Sequence, residues 1–296
     1  NSPLDSCRGG RIGFRCGRRG VSRALLRQAL LFPARRRFAT VRAVKARAVD
    51  PVRLEVFHHL LSAWCEEAGV RLQRSAVSPN IRERADFSVA VFDRDVRLVA
   101  QAAHIPVHLG SAGDAVAAVR RELELAPGDV AILNDPYAGG THLPDVTVIT
   151  PIHDADGREI LFYVGSRGHH ADIGGATPGS MPPDSRIIDD EGVLITNFKL
   201  LEGGLIREAA FRELLCAAPH PTRNVEQNLA DLRAQVAANE KGREELRRMV
   251  EHFGLDVVRA YMAHVQDNAE ESVRRVIRAL KDGEFALDLD NGSTIK

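Results

Sequence analysis

The sequence predicts an α+β fold: a mixed β-sheet and hairpin core, an N-terminal helix and a C-terminal long helical hairpin. Three observations predict it. Apolar residues recur at helical spacing just after residue 50. Short β-rich runs bounded by turn residues fill residues 87–164. Two long apolar-periodic stretches follow, about 222–253 and 255–280, separated by one glycine.

The first helix starts at Asp50-Pro51, with Asp50 as cap and Pro51 in the first position. Leu54, Phe57, Leu61, Trp64 and Ala68 repeat at three and four residues and make one buried stripe. His58 and His59 flank that stripe and are read as surface or packing residues. Phe87–Asp93 and Val96–Ala100 read as two strands turned by Arg94-Asp95. A helix is expected over Ser111–Leu123, with Ser111 as cap, and Pro127-Gly128-Asp129 breaks it. Val130–Leu133 is a short buried strand. Val146–Ile152 and Ile160–Val164 form a hairpin turned by Asp154–Gly157. Residues 174–204 are rich in Gly, Pro and Asp and lack periodicity, so they read as a functional loop. In the helical pair, Gly254 ends the first helix, and so short a connection makes the two antiparallel. Met249 and Met262 are core candidates. Gly283–Lys296 begins a strand, turns at Asn291-Gly292 and stops as a second strand starts, so the chain is expected to end inside a domain.

The expected division is a basic leader (1–49), an α/β metal-site region (50–220), the helical hairpin (221–283) and the start of a truncated β region (284–296). The net charge of zero conceals an asymmetry. Residues 1–49 hold 13 Lys/Arg and one acid, which leaves 27 basic and 39 acidic residues in 50–296, a net of −12. The leader fits a targeting segment, a disordered basic tail or translated upstream sequence. The acidic body offers no basic face for nucleic acid, and no apolar run is long enough to span a membrane. The four cysteines, Cys7, Cys16, Cys65 and Cys216, form no CxxC pair and read as buried or incidental thiols.

The chemistry lies in three segments: His104–Gly110, Asn134–Asp145 and Gly168–Gly175. They hold five of the eleven histidines and three aspartates within 69 residues. Imidazole and carboxylate are the ligands of a borderline divalent metal when thiolate is absent. His142 and Asp145 share a turn through Pro144, and His169 ends a strand. Together they make a two-His, one-carboxylate set suited to Mn²⁺, Fe²⁺ or Zn²⁺, with an open position for catalysis. A metal-free polar cleft and purely structural turns are the alternatives. No P-loop, GxSxG element or dinucleotide fingerprint is present, so ATP has no site of its own here.

These segments, with Asp50–Phe57, Ser78–Ser88 and Ala100–Ser111, resemble the hydantoinase B/oxoprolinase family over roughly residues 50–290. The resemblance implies a subunit or fragment of an ATP-dependent cyclic-amide hydrolase of hydantoinase or 5-oxoprolinase type. It also implies a hydantoinase A-type partner that handles ATP, and hence a cytoplasmic hetero-oligomer, or an organellar one if the leader is a targeting segment. The family includes acetone and acetophenone carboxylase subunits, so a ketone carboxylase subunit is the alternative. A non-catalytic truncated remnant is another, because family members are usually much longer. In the carboxylase branch a His-x-x-Asp pair and a later His bind a divalent metal. Those ligands fall on His142, Asp145 and His169, with His170 the weaker choice for the third. From its place three residues after His169, Asp172 is a candidate ligand-orienting partner or base; His104 and His108 are expected to line the same cavity, and Asp135 to orient the loop carrying His142.

Overall fold

Asp50 starts helix α1 (Pro51–Ser75) as the spacing predicts, its Oδ1 accepting from the amides of Val52 and Arg53 at 3.0 and 3.4 Å. The computed structural model describes residues 49–296; the basic leader, with Cys7 and Cys16, lies outside the described residues. A short turn, α2 (Pro79–Arg82), leads into strand β1 (Phe87–Asp93). Strand β2 (Leu98–Gln101) returns antiparallel to it. The turn between them is longer than Arg94-Asp95. Asp93 Oδ1 accepts from the amides of Asp95 and Arg97, and Val96 stands at φ 69°, so Val96 belongs to the turn and not to the strand.

Helix α3 spans Pro106–Glu122. It begins five residues before Ser111, because Pro106 supplies the first helical position and needs no capping side chain. His108 therefore lies in its first turn. Strands β3 (Val130–Leu133), β4 (Asp145–His153) and β5 (Ile160–His169) follow. Strand β5 runs five residues further than its apolar pattern suggests and carries His169 as its last residue.

The stretch 174–204 is not a single loop. It contains a short helix, α4 (Ile188–Glu191), and strand β6 (Phe198–Glu202), which pairs with β3. A two-residue strand β7 (Leu205–Ile206) and helix α5 (Glu208–Ala217), neither expected from the sequence, come next. Helices α6 (Val225–Phe253) and α7 (Leu255–Ala279) are joined at Gly254, as predicted. A terminal hairpin pairs β8 (Leu287–Asp288) with β9 (Thr294–Ile295).

Seven strands form one sheet in the order β2-β1-β5-β4-β3-β6-β7, every neighbouring pair antiparallel. The α+β class holds. Strands β4 and β5 are buried along nearly their whole length because both faces are covered. Helix α3 covers one face, over Ala90, Phe92, Ile149 and Tyr163. Helices α1, α6 and α7 cover the other at the β1 side, where Phe57, Leu61, Val164, Met249 and Met262 meet. Helices α5 and α6 close a third cluster around Val146, Val148, Phe211 and Leu229. Cys65 is a free thiol inside this core, and burial pushes it up to about 12. No helix among the described residues is long and apolar enough to cross a membrane.

Candidate metal centre

The centre is built on cross-strand register. Asp145 opens β4 and His169 closes β5, and the two are directly paired. Their side chains therefore leave the same face of the sheet, a few ångströms apart. That face is the one under α3. His142 reaches the same point from the turn before β4. Pro144 and the hydrogen bond from the Asp145 amide to the His142 carbonyl (3.0 Å) fold that turn back.

Three donor atoms converge. His142 Nε2 lies 3.2 Å from Asp145 Oδ1, His169 Nδ1 lies 3.3 Å from the same oxygen, and the two imidazole nitrogens are 3.2 Å apart. Donors bound to one ion at about 2.1 Å with angles near 90–110° stand roughly 3.0–3.4 Å from each other. The triangle fits. Asp145 Oδ1 is also buried and makes no well-formed hydrogen bond. An orphaned buried carboxylate oxygen costs free energy unless something positive completes it.

The remaining oxygen is held. Asp145 Oδ2 accepts from Thr141 Oγ1 and lies 3.2 Å from His108 Nε2. Burial would raise this carboxyl, but the imidazoles of His108, His142 and His169 outweigh it and hold Asp145 well below the usual carboxylate range. Reciprocally, Asp145 raises His142 above the ordinary imidazole value against the opposing effect of burial.

Arg167, buried two residues before His169, braces the surroundings. Its Nε donates to Thr147 Oγ1, its Nη1 to Ser111 Oγ and the His108 carbonyl, and its Nη2 to the Gly139 carbonyl. It thereby ties the start of α3 and the 134–142 loop to the sheet. Burial lowers its guanidinium to about 10. Gly139 sits at φ 88°, and a Cβ there would lie 2.1 Å from the Ala115 amide nitrogen, so only glycine lets the loop approach α3.

The other expected site residues divide. His108 joins the centre. His104 does not: its Nδ1 accepts from the Val89 amide at 3.1 Å, its ring packs on Phe87, and burial lowers it. Asp135 caps the 3₁₀ turn Pro136–Ala138 by accepting from the Tyr137 amide at 2.8 Å, which shapes the loop carrying His142. Asp172 lies outside both groups of converging ligand atoms. Its oxygens accept from the amides of Gly174, Gly179 and Arg223 and from Arg223 Nη1 at 2.7 Å. His170 faces away from the centre. Its Nε2 donates to Gln235 Oε1 and its Nδ1 accepts from Asn228 Nδ2, both at 3.1 Å.

Asp86 is the residue missing from the sequence-based list. It lies just before β1, its carbonyl accepts from the His169 amide at 3.0 Å, and its carboxylate stands 3.7 Å from both His108 Nε2 and His169 Nδ1. The sequence signal for it was present only in the Ser78–Ser88 segment that supports the family resemblance.

The family model described as Hydantoinase B/oxoprolinase matches residues 50–296. The 5-oxoprolinase 1 of Arabidopsis thaliana is 45% identical over 244 residues, covering 78% of this chain but 19% of that protein. The crystal structure of the ATP-dependent caprolactamase from Pseudomonas jessenii superposes with a TM-score of 0.71 at 31% identity, covering 82% of this chain and 42% of that one. Acetone carboxylase in its nucleotide-free structure gives a TM-score of 0.66 at 21% identity, over 72% of this chain and 28% of that one, a likeness of fold alone. The chain spans about a fifth of the length of the 5-oxoprolinase it matches.

Proposed function

This chain belongs to the hydantoinase B/oxoprolinase family, and on that premise we propose that it is the metal-bearing part of an ATP-dependent cyclic-amide hydrolase of the 5-oxoprolinase kind. The observation that carries the chemistry is the triangle of donor atoms from His142, Asp145 and His169, with Asp145 Oδ1 orphaned at its corner. The choice of a cyclic amide over a ketone follows from the relatives. The 5-oxoprolinase shares 45% identity, and acetone carboxylase shares only a fold at 21%.

ATP is handled by a hydantoinase A-type partner, which activates the lactam before its ring is opened here. The assembly is hetero-oligomeric and works in the cytoplasm. A divalent ion, Mn²⁺, Fe²⁺ or Zn²⁺, held by His142, Asp145 and His169 would supply Lewis acidity toward a carbonyl or acyl-phosphate oxygen or toward the attacking water. The chain's own residues do the positioning. Thr141 and His108 fix the Asp145 carboxylate, the Asp86 carbonyl anchors the His169 backbone, and Arg167 clamps the loop that delivers His142. Asp172 and Asp135 act one step back, by shaping the loops at either side.

The test is the metal content of the purified chain beside a His142→Ala/His169→Ala double variant, followed by ATP-dependent opening of 5-oxoproline once the partner is added. Bound metal in the wild type, lost in the variant together with ring opening, supports the reading. A folded wild type that takes up no metal after reconstitution overturns it.

A further inference from the structure

We propose that the cavity between the end of α3 and the β4–β5 turn binds a phosphate-bearing small molecule, at a site separate from the metal centre.

The cavity measures about 740 Å³ and lies at the far end of the face that α3 covers. Tyr163 lines it, on the same strand and the same face as His169. The six residues between those positions, at about 3.3 Å each, put the cavity roughly 20 Å from the centre. A small ligand held there does not touch the metal ligands.

Charge is the first observation. Residues 50–296 hold 27 basic and 39 acidic residues, yet this cavity reverses the balance. Arg94, Arg120, Arg158 and Lys199 line it against Glu124 and Glu159. Glu159 is already matched, its Oε1 lying 2.6 Å from Arg94 Nη1 and 3.0 Å from Arg259 Nη2. Lys199 Nζ donates to Asp129 Oδ2 at 2.8 Å, which leaves the ammonium two further donors. Arg120 Nη1 donates only to the Arg94 carbonyl, at 3.0 Å, and the Arg158 guanidinium has no acceptor among the described residues. Two guanidiniums without a carboxylate therefore face Glu124, the one acid of the lining without a cation among the described residues.

Tyr163 is the second observation. It is 2% exposed, and its ring packs beneath α3. Its hydroxyl has no hydrogen-bond partner among the described residues and is not sealed in the core, so it opens on the cavity. A phenol so deeply placed ordinarily finds a partner. Burial raises it above the usual phenol value, so it stays an O–H donor at neutral pH. An anion's oxygen completes it. A phosphate offers more acceptor oxygens and more charge than a carboxylate, and it matches two guanidinium forks, an ammonium and a hydroxyl together. The volume falls within the range of small-molecule sites, about 300–1,000 Å³, so the phosphate is carried on a larger molecule or repeated.

The test is calorimetric titration of the chelator-stripped full chain with pyrophosphate, so that no ion at the centre competes. One pyrophosphate per chain is expected. Arg120→Ala/Arg158→Ala, which changes only exposed side chains, should raise Kd at least about tenfold. Tyr163→Phe keeps the ring and should raise Kd about 3–5-fold. His142→Ala/His169→Ala should bind pyrophosphate as the wild type does, whether or not the metal reading holds. Absence of binding to a folded wild type overturns the proposal. So does an affinity unchanged in both cavity variants, or one lost in the His142/His169 variant, since the anion then sits elsewhere. Sulfate binding as tightly as pyrophosphate overturns the phosphate assignment.

Discussion

His169 and His170 are neighbours in sequence, yet they serve opposite faces of the sheet. His169 turns toward α3 and meets His142, Asp145 and Asp86. His170 turns toward α6 and meets Asn228 and Gln235, with each ring nitrogen in a hydrogen bond. The α6 face continues as a polar seam: Gln235 Nε2 donates to the carbonyls of Val146 and Ser166, and Asn239 Nδ2 to that of Val148. Asp231 Oδ2 and Asn239 Oδ1 lack partners on that side too, but among the described residues no converging set of metal ligands surrounds them. Residue type therefore does not mark the site. Convergence of donors on an unsatisfied buried carboxylate is what distinguishes the candidate site.

Removing the carboxylate on the α3 side should produce the largest effect. Asp145→Ala is expected to weaken metal binding by more than about 100-fold, beyond the usual loss from an outer partner. Competition against a colorimetric chelator would read it, and unchanged affinity would break the contrast. On the α6 side, Gln235→Ala strands His170 and two strand carbonyls in the core. It should cost about 2–4 kcal/mol in urea unfolding while leaving metal content intact. Equal loss of metal in both variants would mean that the two faces are not separable.

Acid sharpens the same comparison in the metal-free chain. Burial lowers His170 below 6.5, so the unfolded state binds the proton that the folded state refuses. Stability should fall as pH drops from about 6.5, by at most about 1.4 kcal/mol per pH unit, and His170→Gln should flatten that limb. His142 runs the other way. Asp145 raises it, so its contribution is fully present below 6.5 and is lost as pH rises through its raised value. Urea midpoints measured from about pH 5 to about pH 8 separate the two limbs. The smallest effect belongs to Asp135→Ala, which removes one capping hydrogen bond and should cost about 0.5–2 kcal/mol. Its metal affinity should drop less than that of Asp145→Ala, as a competition titration would show.

The helices and the β4–β5 hairpin were legible because their signals are local: caps, stripes, and turn residues between apolar runs. So was the set of His142, Asp145 and His169 as a ligand candidate. Three things were hidden. Strand β6 sits in a stretch whose glycines and prolines mask five strand residues, and it is fixed by pairing with β3, far away in sequence. The start of α3 was obscured because Pro106 could end a motif as readily as open a helix. Asp86 was invisible as a site residue because only the non-local pairing of β1 with β5 brings it beside His169. The separation of His169 from His170 was equally unreadable, since it depends on which strand face each helix covers.

The donor triangle is compact along the chain as well as in space. His142 and His169 are only 27 positions apart, and Asp145 lies between them on the strand that pairs with the one ending in His169. Closing so short a loop carries a small entropic cost, and hairpins zip within microseconds. During synthesis these three side chains can come together as soon as β5 has emerged, before α6 exists to cover the opposite face. Ion capture would then lock the pairing of β4 with β5 early. The order of assembly would be set by the spacing of three residues, with α6 arriving to seal a hairpin already in register.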